Sequence, residues 1–238
     1  MNRINLGKIS FPPDDATGQA PHLPRDDNVM AFTHELGGVV TLARWERADC
    51  CDSIVANGGI CWVLSGIIRK CLILESGQRR IIDVMMPGDF FCLQKDDARP
   101  FSFEVSTNET VTARIARREF DSLATLQPSL YRFFHERICQ TIFRLEDHIL
   151  VQGRTTSTQK VGSYLSLLCR RLTEQQGTAV VLPMSRYDIA DHVGIAVETV
   201  SRAITELRRQ GVIQLETPRC LVVRDAGKLA DGILSDIA

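Results

Sequence analysis

The chain contains no apolar run approaching the ~20 residues needed to cross a bilayer, so its sequence predicts no membrane-spanning helix. Residues 1–28 are rich in Pro, Asp and Gly and lack the apolar centre of a secretion signal. They are predicted to form a loose arm on a cytoplasmic protein. An excess of either charge is also missing, the net charge being −1. No global basic field draws the chain onto polyanions at large, although specific phosphate contacts need only a local basic face. Cys-x-x-Cys pairs, phosphate-cradling Gly loops and His/Cys runs with metal-site spacing are absent. The chain is therefore read as no enzyme, and the rival class, a thiol oxidoreductase, has no motif to stand on.

What is present is an ordinary globular composition, 44% hydrophobic and 24% charged, over 238 residues, enough for one large domain or two. The eight cysteines are expected to be reduced and mostly buried, since nothing points to an oxidising compartment.

From Val29 to Phe120 short apolar segments are separated by turn residues. Gly66, Gly77 and Gly88 lie 11 residues apart. They follow candidate strands at 60–64, 71–74 and 81–85, and two alternating segments come later at 101–105 and 111–115. Strands at this spacing predict a barrel or jelly roll. From about Gln127 the period becomes helical. Leu130, Phe134, Ile138, Ile142, Leu145 and Ile149 advance by 4, 4, 4, 3 and 4 residues and form one apolar seam. Such a seam must be covered, in part by the chain's own roll. Gly153 and the run Arg154 to Thr158 mark a hinge, and a further helix is expected from about Gln159 to Glu174. Its buried side would hold Tyr164, Leu165, Leu167, Leu168 and Leu172.

The stretch Val197 to Gly211 carries two chemically different faces. Val200, Ala203, Ile204 and Leu207 form an apolar stripe. Glu198, Ser201, Arg202 and Thr205 repeat the same spacing on a polar face. Arg can clamp O6 and N7 of guanine, Glu can accept from N4 of cytosine, and Ser can contact any base. Gly211 ends the helix where a left-handed residue is wanted. Upstream, Ser185 and Asp188 form a cap-like pair, Ile189, Ala190 and Val193 a buried side, and Gly194 a tight turn with Ile195 plugging the angle. A helix, a Gly-containing turn and a second helix predict a helix-turn-helix. The segments 212–215 and 220–223 predict a hairpin wing.

The runs Asp188 to Gly194 and Val197 to Arg202 resemble the DNA-binding motif of the CRP/FNR transcription regulators, and within them the FNR and FixK branch. The Glu-x-x-Ser-Arg pattern is present as Glu198, Ser201 and Arg202. The CRP branch has Arg directly before the Glu, whereas this chain has Val197. The resemblance implies an α+β protein. It would consist of an N-terminal arm (1–28), a β-roll or double-stranded jelly-roll sensory domain (29–126), a dimerisation helix (127–153) and a C-terminal winged helix-turn-helix (154–238). It implies a homodimer, joined along Leu130, Phe134, Ile138, Ile142, Leu145 and Ile149, that reads a palindrome close to TTGAT-N4-ATCAA in double-stranded DNA. Glu198 and Arg202 would read the C·G pair and Ser201 a neighbouring base. Val197 and Thr199 would shape the helix entry, and Arg186, Arg208 and Arg209 would meet phosphates. It further implies gene activation through RNA polymerase in response to oxygen, nitrogen oxides or redox state. A cyclic-nucleotide- or haem-responsive regulator is the alternative, and an adaptor whose helix-turn-helix has lost DNA binding a further one.

The effector stays open at this stage. Family members that bind cyclic nucleotides follow Gly-Asp-Phe-x with Gly-Glu-Leu and later Arg-Ser or Arg-Thr. Here Cys92 and Leu93 replace the Gly and Glu, and Pro100 follows Arg99, so both essential partners are missing. An iron–sulfur cluster would need four thiolates drawn from Cys50 or Cys51, Cys61, Cys71 and Cys92, with Cys61 and Cys71 on neighbouring strands. Residues 1–49 hold no cysteine. Haem could take His34, His135 or His148. Thiol chemistry points to Cys71 after Arg69-Lys70 and to Cys220 after Arg219, because a nearby cation lowers a thiol pKa. Control through expression alone needs no effector.

Overall fold

In the computed structural model, which describes residues 26–51, 58–93, 101–173 and 179–230, strand β2 (Gly59–Ser65) is buried on both faces. Successive side chains of a strand point to opposite faces, so β2 serves two cores. Ile60, Trp62 and Leu64 enter one, with Phe32, Phe90, Ile115, Phe120 and Leu130. Cys61 and Val63 enter the other, with Cys51, Ile68, Met85, Phe103 and Val105. The first sheet has the order β1-β7-β2-β5, adding β1 (Thr41–Trp45), β5 (Phe90–Leu93) and β7 (Thr110–Ile115). The second has the order β4-β3-β6, from β3 (Ile68–Ile73), β4 (Arg79–Met85) and β6 (Phe101–Val105). All pairings are antiparallel. The core around Cys61 draws residues from both sheets, which is the roll expected from the strand spacing. The strand expected at 71–74 begins earlier, at Ile68, and leaves Leu74 in the turn. Strands β1 and β5 were not among those expected.

Helices cover the outer face of the first sheet. Helix α1 (Asp27–Leu36) occupies the start of the segment expected to be all strand, and corrects the arm's boundary, because Asp26 to Asn28 are already part of the fold. The remainder of the arm, 1–25, lies outside the described residues. Asp26 Oδ1 accepts from the Val29 amide at 3.1 Å, and its carboxylate pairs with Arg137 Nη1 at 2.6 Å. One side chain thus caps α1 and ties it to α3 (Pro128–Gln152). Pro128 suits the first helical position, where its missing N–H is not needed. Phe32 stacks on Phe133 with centroids 4.6 Å apart and meets Trp62 edge-on at 5.6 Å. Trp62 Nε1 donates to Thr33 Oγ1 at 2.9 Å, so the buried indole N–H is satisfied. Helix α2 (Arg117–Leu126) replaces the last part of the expected roll domain, whose strands end at Ile115.

The seam of α3 is divided. Leu130 is 1% exposed inside the helical core, and Phe134 packs there against Phe90 and Phe120. These two residues are corrected from partner contacts to the chain's own core. Ile138 is half-buried, whereas Ile142, Leu145 and Ile149 are exposed together with Phe143 and Leu150. The described residues fall into two units, 26–142 and 143–230, so α3 is shared between them and residues 127–153 form no separate body.

The second unit begins on α3 and continues with α4 (Ser157–Leu172), which starts two residues before the expected position. Thr156 and Gln159 close a reciprocal capping box at its start. Tyr164, Leu165, Leu168 and Leu172 are buried, while Leu167 is only partly so. Next come β8 (Ala179–Val181), α5 (Arg186–Val193), α6 (Val197–Arg209), β9 (Ile213–Leu215), β10 (Cys220–Val223) and α7 (Ala226–Ala230). The wing sheet has the order β8-β10-β9, one strand more than expected. Among the described residues no helix is long and apolar enough to cross a membrane.

Candidate nucleic-acid interface

Helix α5 starts where its sequence says it should. Ser185 Oγ accepts from the Asp188 amide at 3.1 Å, and Asp188 Oδ2 accepts from the Ser185 amide at 3.0 Å. Two amides that a helix start leaves unpaired are thereby satisfied. Ile189, Ala190 and Val193 face the core. Gly194 then takes φ 76° and ψ 35°, a left-handed conformation that a side chain would resist, and its N–H donates to the Ala190 carbonyl at 2.8 Å. The turn places Val197 three residues later at the start of α6.

Helix α6 buries Val200, Ala203, Ile204 and Leu207 and leaves Glu198, Arg202 and Thr205 exposed, with Ser201 and Thr199 half-exposed. It ends in a Schellman arrangement. The Gly211 amide, at φ 72°, donates to Arg208 O, and the Val212 amide to Leu207 O. The C-terminal end of the helix is therefore fixed by local chemistry, whereas its N-cap, Ala196, makes no side-chain cap bond and the preceding turn alone sets the entry.

The ridge is internally bonded. Arg202 Nη2 donates to Thr199 Oγ1 at 3.1 Å. Arg186 Nη1 reaches from α5 to donate to Ser201 Oγ at 3.2 Å. Arg186 therefore supports a ridge residue as well as adding charge, a contact between positions 15 apart that spacing does not reveal. Arg208 is exposed, whereas Arg209 forms two short bonds to Glu206, at 2.8 and 2.6 Å. Those bonds, with one from Gln210, hold the Glu206 carboxyl down to about 2. Val197 is half-buried at the helix entry. Arg224 belongs to the arginines that the sequence offers around the motif as a local basic face, but its bonds to Gln214 across the hairpin escaped that reading because their sequence separation carries no period.

The roll distributes the candidate cysteines over different elements. Cys61 lies on β2 and Cys71 on β3, in different sheets, which corrects the expectation of neighbouring strands. Cys51 shares the intersheet core with Cys61, Cys50 is exposed, and the side chain of Cys92 lies outside the described residues. Cys71 is fully buried, and burial pushes its thiol up to about 12 against the opposing pull of Arg79 and Arg69. Arg69 in fact faces Glu104, at 3.4 Å. Cys220 lies 3.5 Å from Glu216 Oε2, and burial and that carboxylate both raise its pKa. Neither thiol has the lowered pKa expected beside an arginine. His34 and His135 are exposed on α1 and α3, and His148 packs on His192 with centroids 4.2 Å apart. Among the described residues no three His, Cys, Asp or Glu side chains converge as metal ligands.

Comparison with known proteins agrees with this geometry. A family model described as Crp-like helix-turn-helix domain matches residues 159–231. The nitrogen fixation regulation protein FixK of Azorhizobium caulinodans is 35% identical over 197 residues, 82% of this chain and 78% of that protein. The transcriptional activator protein FnrL of Cereibacter sphaeroides is 28% identical over 176 residues, 71% of this chain and 70% of FnrL. The structure of FixK2 from Bradyrhizobium japonicum superposes with a TM-score of 0.68 at 27% identity, covering 81% of this chain and 96% of FixK2.

Proposed function

The chain belongs to the CRP/FNR family, as a FixK-like DNA-binding transcription regulator, and from that premise we propose that it acts as a homodimer on a palindrome close to TTGAT-N4-ATCAA. One observation carries the reading: Glu198, Ser201 and Arg202 stand together on the outer face of a helix whose other face is buried. Glu198 accepts from the cytosine and Arg202 clamps the guanine of the C·G pair, while Ser201, braced by Arg186, contacts the neighbouring base. Thr199 and Val197 set the helix entry, and Arg208 and Arg209 meet phosphates, Arg209 by exchanging Glu206 for the DNA.

The two reading helices are brought to one palindrome by the apolar stretch of α3 that the chain does not cover itself. That stretch is Ile142, Leu145 and Ile149, widened by Phe143 and Leu150. The role fitting this equipment is cytoplasmic gene activation through RNA polymerase, in oxygen-, nitrogen-oxide- or redox-responsive control. The test is a mobility shift with the palindrome and single-base variants. Arg202→Ala is expected to lose ~1–3 kcal/mol on the intact site and to flatten the preference at one base pair. Unchanged ratios between intact and altered sites would refute the base-reading assignment.

A further inference from the structure

An open groove of about 520 Å3 lies beside the reading ridge, lined by Thr205, Arg208 and Arg209 from the last turns of α6 and by Gln214 and Arg224 from the hairpin. It continues the ridge. Steps of 4, 3 and 4 residues lead from Glu198 through Arg202 and Thr205 to Arg209, so all four share one helix face. Arg208 sits about 15 Å along the axis from Glu198 at 1.5 Å per residue. A duplex seated on Glu198 and Arg202 therefore meets the groove beyond the base pairs those residues reach.

The groove's chemistry suits an anion. Three arginines line it, against one acid beside it, Glu206, which pairs with Arg209 before DNA is bound. Arg224 is aimed. Its Nε and Nη2 both donate to Gln214 Oε1, at 3.2 and 2.6 Å, and its backbone amide donates to Val212 O at 2.9 Å. Nη1 takes no part in the Gln214 pair. A guanidinium held by one edge on a pinned backbone loses less freedom on binding an anion than a free one does.

We propose that this groove seats the sugar-phosphate backbone of the bound duplex outside the palindrome, with Arg224, oriented by Gln214, as its main cation. The assignment rests on α6 lying in the major groove. It adds affinity without sequence preference, because phosphate contacts position a protein and carry no base information.

The test uses the full chain and two duplexes, one trimmed to the palindrome and one extended by about a helical turn on each side. Binding is titrated against salt. Arg224→Gln removes one phosphate contact per protomer, so the slope of log affinity against log salt is expected to shrink by about 1.8 on the extended duplex. Diluting the salt tenfold then strengthens the variant roughly 60-fold less than the wild type. On the trimmed duplex the two slopes should agree, and the preference for intact over base-altered palindromes should not move. Gln214→Ala keeps the charge but frees it, and should weaken binding to the extended duplex alone. A wild-type slope for Arg224→Gln on the extended duplex would overturn the proposal, as would an equal loss on both duplexes. Arg202→Ala is run in parallel. If it keeps the wild-type base preference, the placement of α6 has failed, a result distinct from any failure at Arg224.

Discussion

Replacing Ile149 by alanine separates the two ends of the α3 seam. Ile149 is 67% exposed in the single chain, whereas Leu130, on the same helix, is 1% exposed. Burying a whole Ile side chain stabilises by ~1.5–3 kcal/mol, so covering the exposed two-thirds is worth about 1–2 kcal/mol per protomer. A two-fold interface counts each substitution twice, about 2–4 kcal/mol, which weakens the dimer roughly 30- to 700-fold. The fold should hardly notice, because the side chain packs little within its own chain. Leu130→Ala reverses the pattern: a cavity in the helical core costs ~2–5 kcal/mol of folding stability, with the dimer constant changed little. Sedimentation equilibrium gives the first quantity and denaturant unfolding at fixed dimer saturation the second. A dimer constant for Ile149→Ala near the wild-type value, with the protein folded, would refute the assignment of this face to a partner copy.

Two further predictions concern stability. Asp26→Ala removes the α1 cap and the half-buried pair with Arg137, so a loss of about 2–3 kcal/mol is expected. Asp26→Asn keeps the cap and should lose only part of that; wild-type stability in Asp26→Asn would show the pair to be idle, and equal losses in the two variants would show the cap to be idle. The thiols of Cys71 and Cys169 are both pushed by burial from 9.0 up to about 12. The unfolded chain releases these protons above about pH 9 while the native chain keeps them, so their contribution is intact below pH 9 and is lost as the pH climbs toward 12. The unfolding midpoint should fall over that range, less steeply in Cys169→Ala, and an identical alkaline profile for that variant would contradict the burial argument.

The features legible in the sequence were those with a local cause. The two faces of α6, the Ser185–Asp188 cap and the alternation of Phe101 to Val105 all appear in the structure as read. The seam was legible as a stripe but not as two surfaces, since periodicity shows that Leu130 and Ile149 are apolar and not what covers each. Helix α1 was hidden by the polar segment before it, although Asp26 carried the cap signal. Cys220 was read against its chain neighbour Arg219, yet Arg219 lies in the turn before β10 and the charge beside the thiol is Glu216. Arg186 on Ser201 and Gln214 on Arg224 depend on how elements meet, which no single-sequence spacing encodes.

Because β2 sends Ile60, Trp62 and Leu64 one way and Cys61 and Val63 the other, its alignment is keyed by volume, polarity being equal on the two sides. A slip of one position would force the Trp62 indole into the space shaped for the Cys61 thiol and leave a void where the ring had been. Wrong pairings of this strand are thus rejected by size, and a small residue at position 61 acts as the notch that admits a single key.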